Sequence, residues 1–318
     1  AFSEHWHYFM DTERKGDPAF KCHEWTLPEE LHLTAFVGNE TVDWLSRYDS
    51  DRPFLLQVGF LAPHSPTMPP PEFMNQYRDS DEAPPWNAPN PPIWLTEARR
   101  GYRAMITHLD AYVGRIRACL AERGLLDNTI FVYTADHGEM AGDHGQSGKT
   151  TFYEASVRVP LLFSGPRVAA GQESQALVET IDIGWTLCDL CGVEPHAFEN
   201  GQSLAPLLRG ETISHRNTVY SEMGCDRMLR TERYKLMWGE PTFDKRKLGR
   251  LHLDKPVDVP PSPGAIFDLQ EDPHETRNLI ENRDLHLDLL EQLLARINEN
   301  TETQPFLSRG EYRPLRPA

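Results

Sequence analysis

Apolar residues along the chain fall into two kinds of pattern, short continuous runs and longer stretches with helical spacing. The runs at 54–60, 130–133 and 159–163 are nearly all apolar, which is typical of strands buried on both faces. Apolar residues at intervals of three and four predict helices over 34–47 and from about residue 96 to 120. This succession of strand, helix and strand predicts an α/β domain whose helices flank a mainly parallel sheet.

The pattern changes after about residue 210. Short apolar stretches separated by polar turns, the last of them at 266–269, predict a small antiparallel sheet. Leucines recur with helical spacing over 281–298 and predict an amphipathic helix. We therefore divide the chain into an α/β portion over 1–210 and a smaller C-terminal α+β subdomain with a tail over 211–318.

Ionisable side chains follow two of the predicted strands. Asp136 and His137 come just after the strand at 130–133, and His64 lies in a proline-rich loop just after the strand at 54–60. In open α/β sheets, ligands bind beyond the carboxyl ends of the strands. The sequence therefore predicts that these two groups share one rim of the sheet.

The residue types in these loops suit a metal ion and an anion. Asp136 offers oxygen and His137 offers nitrogen, although two ligands do not complete a site, and an imidazole ligand favours manganese or zinc over calcium. Lys149 suits an anionic oxygen of a substrate. His64 is a candidate to donate to an anion or to protonate a leaving oxygen. Taken singly, each of these residues is more typical of a solvated turn.

Other ionisable residues of the same stretch are expected to have supporting roles. Asp143 and His144 are interpreted as residues that fix the loop or orient the metal ligands. Glu139 and Glu154 are interpreted as structural rather than catalytic residues.

Composition and charge restrict the partners. The net charge of −16 disfavours a nucleic acid or an anionic membrane, and it means that an anionic substrate needs a local cationic site. No apolar run approaches the ~20 residues of a membrane-spanning helix. Five cysteines, an odd and sparse set, argue against a disulfide framework and favour a cytoplasmic location, with a periplasmic or secreted one left open.

Five segments carry an ordered pattern: GFLAPHSP, YRAMITHLD, VGRIRACLAERGLLDNTIFVYTADHGEMAGDHG, GKTTFYEASVRVPLLFSGP and IFDLQEDPHETRNL. Together they resemble the sulfatase family of the alkaline phosphatase superfamily, over most of residues 27–298. The resemblance implies an α/β fold with an alkaline-phosphatase-like sheet flanked by helices. It also implies a smaller C-terminal subdomain made of an antiparallel sheet plus a helix.

The resemblance implies a role for each candidate residue. Asp136 and His137 match a pair of metal ligands; Ca²⁺ is the metal most typical of the family, and Mn²⁺ or Zn²⁺ is compatible with a His ligand. Lys149 matches the lysine that holds the sulfate, and His64 matches the histidine that contacts the substrate near the leaving group. The family's nucleophile is a formylglycine, made from the Cys or Ser of a C-x-P-x-R or S-x-P-x-R segment.

The sequence departs from the family in two features. It contains neither that pentad nor an early Asp-Asp metal pair, and Cys22 is followed by His-Glu-Trp. We therefore expect this sequence to be the C-terminal portion of a longer enzyme, which by itself lacks the nucleophile.

The function implied by the resemblance is that of a sulfuric ester hydrolase acting on an aryl, alkyl or sugar sulfate. The expected partner is a small-molecule or saccharide sulfate ester, not a nucleic acid or a membrane, and a homo-oligomer is left open. Two alternatives also stay open. One is a phosphonate monoester or phosphodiester hydrolase of the same superfamily, and the other is a non-catalytic relic that binds an anion.

Overall fold

The computed structural model describes residues 21–88, 91–195, 200–224, 226–239 and 264–303. These residues form two compact units. The first consists of the described parts of Ala1–Thr129 and Glu139–Lys149, and the second of the described parts of Ile130–Gly138, Thr150–Lys247 and Asp258–Ala318. Among the residues described, none of the helices combines the length and the apolar character that crossing a membrane requires.

The first unit is built from helices, with α1 at Leu33–Arg47, α2 at Pro71–Met74 and α3 at Ile93–Glu122. Helices α1 and α3 pack closely at Gly38, where a Cβ atom would lie 2.2 Å from Cδ1 of Tyr112. The buried face of α3 includes residues at helical spacing: Leu95, Ala98, Met105, Leu109, Tyr112, Ile116 and Leu120. The two long helices confirm the prediction made from the spacing of apolar residues.

The apolar run at 54–60 is not a strand, so that prediction was wrong. Its residue Leu55 is 87% exposed. A strand needs a neighbour that satisfies its backbone N–H and C=O groups, and no strand within the described ranges pairs with this run. The run still leads directly into the loop that carries His64.

The second unit begins with β1, Phe131–Thr134, which pairs with β2, Leu161–Ser164. Both strands lie close to apolar runs that predict them. The pairing is antiparallel, with Phe131 opposite Ser164. The expectation of a mainly parallel sheet is therefore wrong for the described strands, whose pairings are all antiparallel. A short apolar run indicates burial and does not encode the direction of its neighbour.

Three shorter helices belong to the second unit: α4 at Glu154–Val157, α5 at Asp182–Cys191 and α6 at Ala205–Leu208. Helix α5 ends at Gly192, whose φ of 71° is a left-handed conformation that glycine adopts without a steric penalty. Helix α4 has only one turn, but it follows Lys149 and supports the segment after β1, as described below.

The rest of the second unit is a small sheet covered by a helix. The strands β3, Val219–Met223, β4, Asp226–Arg230, β5, Tyr234–Trp238, and β6, Gly264–Asp268, form an antiparallel sheet in that order. Helix α7, Arg283–Thr303, packs on it. Their shared core contains Leu229, Leu236, Ile266, Leu289 and Leu293. The prediction of an antiparallel sheet plus a helix is confirmed, whereas a domain boundary at residue 210 stays a prediction.

Candidate active site

The four predicted site residues divide between the two units. His64 and Lys149 belong to the first unit, and Asp136 and His137 belong to the second. The expectation that both pairs lie at one rim of a sheet stays a prediction.

The loop that carries His64 fixes which ring nitrogen bears the proton. The peptide bonds Ala62–Pro63 and Ser65–Pro66 on either side are both cis. The ring Nδ1 of His64 lies 2.6 Å from the carbonyl oxygen of Ser65. Because a carbonyl oxygen can only accept, Nδ1 is the donor in this contact. In a neutral ring, Nε2 then has the lone pair.

The structure brings Lys149 to that lone pair. The Nζ atom of Lys149 lies 2.8 Å from Nε2 of His64. The ammonium group is the donor, and the neutral ring is the acceptor. The acceptor in this bond is neutral, since imidazole has no charge of its own in this tautomer. An anionic oxygen could take the place of Nε2 as an acceptor of the ammonium group.

A small pocket also borders His64, next to the apolar side chains of Leu61, Met68 and Met105. Its volume is about 10 Å³, which is space for roughly one water-sized group. The pocket is therefore too small, in the conformation described, to receive a sugar or an aryl ring.

The loop at 139–149 holds Lys149 through its own hydrogen bonds. One carboxylate oxygen of Glu139 accepts from the backbone N–H of Gly148 at 2.5 Å and from that of Ala141 at 3.1 Å. The N–H of Met140 donates to the carbonyl oxygen of Gly148 at 2.9 Å. Gly148 has a φ of 83°, a conformation that disfavours any other residue. Glu139 is thus a structural residue, as predicted.

Asp143 and His144 tie the same loop to the proline-rich segment that contains Trp86. The carboxylate of Asp143 accepts from the backbone N–H of Trp86 at 3.0 Å, and the N–H of His144 donates to the carbonyl oxygen of Trp86 at 2.7 Å. Arg99 on α3 adds a contact of 3.5 Å with Asp143. These contacts agree with the loop-fixing role predicted for Asp143 and His144.

Asp136 and His137 place one oxygen donor and one nitrogen donor close to each other. Nδ1 of His137 lies 2.8 Å from the carbonyl oxygen of Gly138, so that Nδ1 is the donor and Nε2 has the lone pair. Nε2 lies 3.4 Å from Oδ2 of Asp136. Two ligands that bind one cation at ~2.1–2.4 Å lie roughly 3–3.5 Å apart. The pair therefore has the spacing of two ligands of a shared cation.

This pair is part of a metal site and not a complete one. Among the described residues, no group of three or more His, Cys, Asp and Glu side chains converges as a metal site. The chemistry of the two donors fits a divalent ion. Calcium needs six to eight oxygen ligands, and magnesium or manganese needs about six, so further ligands are required.

Sequence reasoning missed the glycine that supports this pair. The N–H of Gly138 donates to the carbonyl oxygen of Ser156 in α4 at 2.7 Å. A Cβ atom on Gly138 would lie 2.1 Å from the carbonyl oxygen of Ala155. The turn after Asp136 and His137 therefore packs directly against the backbone of α4. The only signal in the sequence is the glycine itself.

Comparison with known proteins identifies the family. The model of the sulfatase family matches residues 2–193, and the model described as N-sulphoglucosamine sulphohydrolase, C-terminal, matches residues 142–256. An arylsulfatase of Clostridium perfringens is 30% identical to this chain, over 91% of this chain and 65% of that protein. The chain spans about half to two thirds of the length of the curated relatives that it matches.

Solved structures share the fold. A phosphonate monoester hydrolase of Agrobacterium radiobacter is 24% identical with a TM-score of 0.69, over 86% of this chain and 62% of that one. A protein solved in complex with its substrate D-glucosamine-2-N,6-O-disulfate is 20% identical with a TM-score of 0.71, over 89% of this chain and 72% of that one. At these identities the structural likeness shows the fold alone. The model of the sulfatase family, in contrast, matches more than half of the chain. The chain belongs to the sulfatase family.

Proposed function

We propose that this chain is the sulfate-binding and metal-binding part of a sulfuric ester hydrolase. The observation that carries the proposal is the contact of 2.8 Å between Nζ of Lys149 and Nε2 of His64, within a chain of the sulfatase family. The substrate is a sulfate ester of a small molecule or a saccharide. The arylsulfatase relative and the neighbour solved in complex with a disulfated glucosamine support this substrate class.

Lys149 neutralises an oxygen of the sulfate group. A preorganised ammonium group stabilises the charge that develops on the oxygens during cleavage of the S–O bond. The loop contacts of Glu139 reduce the reorganisation that this requires, since they fix the backbone one residue before Lys149.

His64 protonates the leaving alcohol. In the structure its Nε2 accepts from Lys149, so this nitrogen first has to gain a proton. A bound sulfate oxygen competes for the ammonium group of Lys149 and thereby releases the lone pair of Nε2. A proton taken up from solvent at Nε2 is then transferred to the ester oxygen, which leaves as the alcohol as the S–O bond breaks.

Asp136 and His137 hold a divalent ion, for which Ca²⁺, Mn²⁺ and Zn²⁺ are the candidates. When bound, such an ion would supply Lewis-acid stabilisation to an anionic oxygen. The sequence contains no C-x-P-x-R or S-x-P-x-R segment, so the proposal assigns no nucleophilic attack to the residues of this chain. The formylglycine typical of the family would have to be supplied by a segment that this sequence does not contain.

Steady-state kinetics on an aryl sulfate test the proposal in the full-length enzyme. Lys149→Ala should lower kcat/KM by about 10²–10³-fold, because one stabilising partner of the oxyanion is lost. Lys21→Ala, at another half-buried lysine of the first unit, serves as the matched control and should stay within about twofold. Equal rates for wild type and Lys149→Ala would remove this lysine from the site. Sulfate binding without any turnover would favour the relic.

A phosphonate monoester hydrolase is the second candidate, favoured by the structural likeness to the Agrobacterium radiobacter enzyme. Sulfate and phosphonate esters both present a tetrahedral anionic centre to the same cation. A comparison of kcat/KM for an aryl sulfate and the matching aryl phosphonate separates the two. The proposal expects the sulfate to be the better substrate, and a preference for the phosphonate would replace it.

A further inference from the structure

A buried charged cluster lies in the second unit, apart from the four candidate residues. It consists of Lys235 on β5, Glu154 at the start of α4 and Glu275 after β6, and we call it the Lys235 cluster. Lys235 is fully buried, and Glu275 is 3% exposed. Sequence analysis did not identify Lys235 or Glu275 as functional residues.

The hydrogen bonds of Lys235 are complete. Its ammonium group contacts Oε1 of Glu154 at 2.6 Å, Oε1 of Glu275 at 2.7 Å and the carbonyl oxygen of Phe152 at 2.9 Å. An ammonium group has three N–H donors, so these three oxygens satisfy it. The second oxygen of Glu275 accepts from the backbone N–H of Glu154 at 2.7 Å.

This arrangement fixes a backbone segment. Lys235 binds the carbonyl oxygen of residue 152, and Glu275 binds the N–H of residue 154. Glu275 adopts a φ of 54°, an uncommon conformation for a residue other than glycine, which its contacts must stabilise. The backbone at the start of α4 is therefore held on both sides of residue 153, by side chains from the small sheet and the loop after it.

Stability alone does not explain such a cluster. Replacing a buried ion pair by apolar side chains of similar volume is often neutral or stabilising. Directional bonds to the backbone at 152 and 154 provide a definite geometry that apolar contacts would not provide. The advantage of the cluster is thus expected to lie in where it places α4.

Helix α4 connects the cluster to the candidate metal ligands. The carbonyl oxygen of Ser156, two residues after Glu154, accepts from the N–H of Gly138. The carbonyl oxygen of Gly138 in turn contacts Nδ1 of His137 and fixes the ring with its Nε2 toward Asp136. Every residue in this series of contacts belongs to the second unit.

We propose that the Lys235 cluster positions the Asp136–His137 pair for metal binding by fixing α4 against Gly138. Lys235 and Glu275 are thus positioning residues that touch neither the metal nor the substrate. The inference rests on the proposed function only in calling Asp136 and His137 metal ligands. The effect of the cluster on the position of Gly138 does not depend on this metal assignment.

Hydrogen exchange of the Gly138 amide in the full chain, without metal or sulfate ester, tests whether the cluster fixes α4 against Gly138. Glu275→Gln can replace only one of the two acceptor contacts of Glu275, because one carboxylate oxygen becomes an NH₂ group. The amide of Gly138 should then exchange about tenfold faster, since its acceptor on α4 is no longer held. The affinity for Mn²⁺, measured by titration calorimetry, should fall by a similar factor.

Glu179→Gln is the matched control in the same unit. Glu179 also binds a basic side chain, Arg296, at 2.9 Å, and a backbone N–H, that of Tyr220, at 2.8 Å. Its substitution should lower stability to a similar degree without changing the exchange of Gly138 or the affinity for Mn²⁺. Equal acceleration in both variants, or no acceleration in Glu275→Gln, would overturn the proposal.

Two further variants keep the outcome decisive. If Glu275→Gln does not fold, the triple variant Glu154→Gln/Lys235→Met/Glu275→Leu removes all three charges of the cluster while nearly keeping the volume, and the same exchange result is expected. Asp136→Ala should abolish Mn²⁺ binding without altering the exchange of Gly138. An unchanged Mn²⁺ affinity in Asp136→Ala would contradict the proposed metal site, while the Gly138 result would still decide on positioning.

Discussion

Two lysines of this chain have the same chemistry and opposite surroundings. Lys149 is half-buried, and its ammonium group donates to a neutral imidazole. Lys235 is fully buried, and its ammonium group donates to two carboxylates and a carbonyl oxygen. The bonds of Lys235 join it to carboxylates and fix the backbone, whereas the bond between Lys149 and His64 is to a neutral ring.

The difference separates two ways in which a cation is used. A charge satisfied by fixed carboxylates is part of the architecture, because moving it would leave those carboxylates buried and unpaired. A charge that contacts a neutral acceptor can exchange this acceptor for an anionic oxygen at little cost. We therefore expect substitutions of Lys235 to change stability and substitutions of Lys149 to change sulfate binding.

The largest expected effect is the loss of stability in Lys235→Ala. Removing the ammonium group leaves Glu154 and Glu275 without their cation and should lower the free energy of unfolding by about 3–5 kcal/mol. Lys149→Ala, at a half-buried loop position that loses its bond to His64, should lower it by only about 1 kcal/mol. Urea unfolding of both variants measures this contrast. Equal losses of unfolding free energy in the two variants would contradict it.

A smaller effect is expected for Gly138→Ala. The added methyl group would overlap with the carbonyl oxygen of Ala155, at 2.1 Å, so the turn or α4 has to shift. Overpacking of this kind should cost about 1–3 kcal/mol of unfolding free energy. The affinity for Mn²⁺ should fall with it. Gly114→Ala is the control, since a Cβ atom there meets no atom within 4 Å and α3 tolerates alanine.

The smallest effect concerns the pH dependence of stability. Burial raises the pKa of Glu275 above the ordinary value of 4.5, and Lys235 offsets this only in part. Burial is also the largest single influence on the pKa of Glu154 and acts to raise it. The charge and hydrogen bond of Lys235, together with the charges of Arg230 and Arg158, outweigh burial and hold that pKa below 4.5. The two carboxyl groups therefore titrate on opposite sides of pH 4.5.

The number of protons bound in the folded and unfolded states determines how each carboxyl group changes the stability with pH. Above pH 4.5 the folded state holds more protons than the unfolded state at Glu275, so its contribution falls as the pH rises through the raised pKa. Below pH 4.5 the contribution of Glu154 is lost as the pH falls through the lowered pKa. The contribution of the cluster should thus be largest near pH 4.5.

Glu275→Gln separates the two carboxyl groups. In this variant the decline of stability above pH 4.5 should disappear, while the decline on the acidic side stays. Urea midpoints between pH 3 and 8, compared with those of Glu179→Gln, provide the measurement. If the decline of stability above pH 4.5 persists unchanged in Glu275→Gln, groups other than Glu275 cause it.

The helices and the small sheet could be predicted because their patterns are local. Helix α3 shows helical spacing of apolar residues over its whole buried face, and the strands of the small sheet are separated by polar turns. The directions of β1 and β2 could not be predicted, since the apolar runs contain no information about their partner. The strand prediction for residues 54–60 was wrong for the same reason. A strand buried on both faces requires neighbouring strands, and the sequence of the run does not specify them.

The candidate residues were predictable to the extent that they lie in short segments of characteristic composition. His64 between prolines and Lys149 after Gly148 are visible in the sequence, and both residues meet in the structure. Lys235 and Glu275 are not visible, because their contacts join segments 83 and 121 residues apart. In the sequence YKLMW, Lys235 reads as an ordinary polar position of a strand, and only the folded chain reveals its complete burial.

Titration calorimetry with inorganic sulfate examines the site shared by His64 and Lys149 by itself, because binding requires neither nucleophile nor turnover. Lys149→Ala and His64→Ala should each weaken sulfate binding by about tenfold or more. The double variant should be much less than additive, since both side chains act on one anion. An unchanged Kd in Lys149→Ala, or strictly additive losses in the double variant, would contradict a sulfate site shared by these two residues.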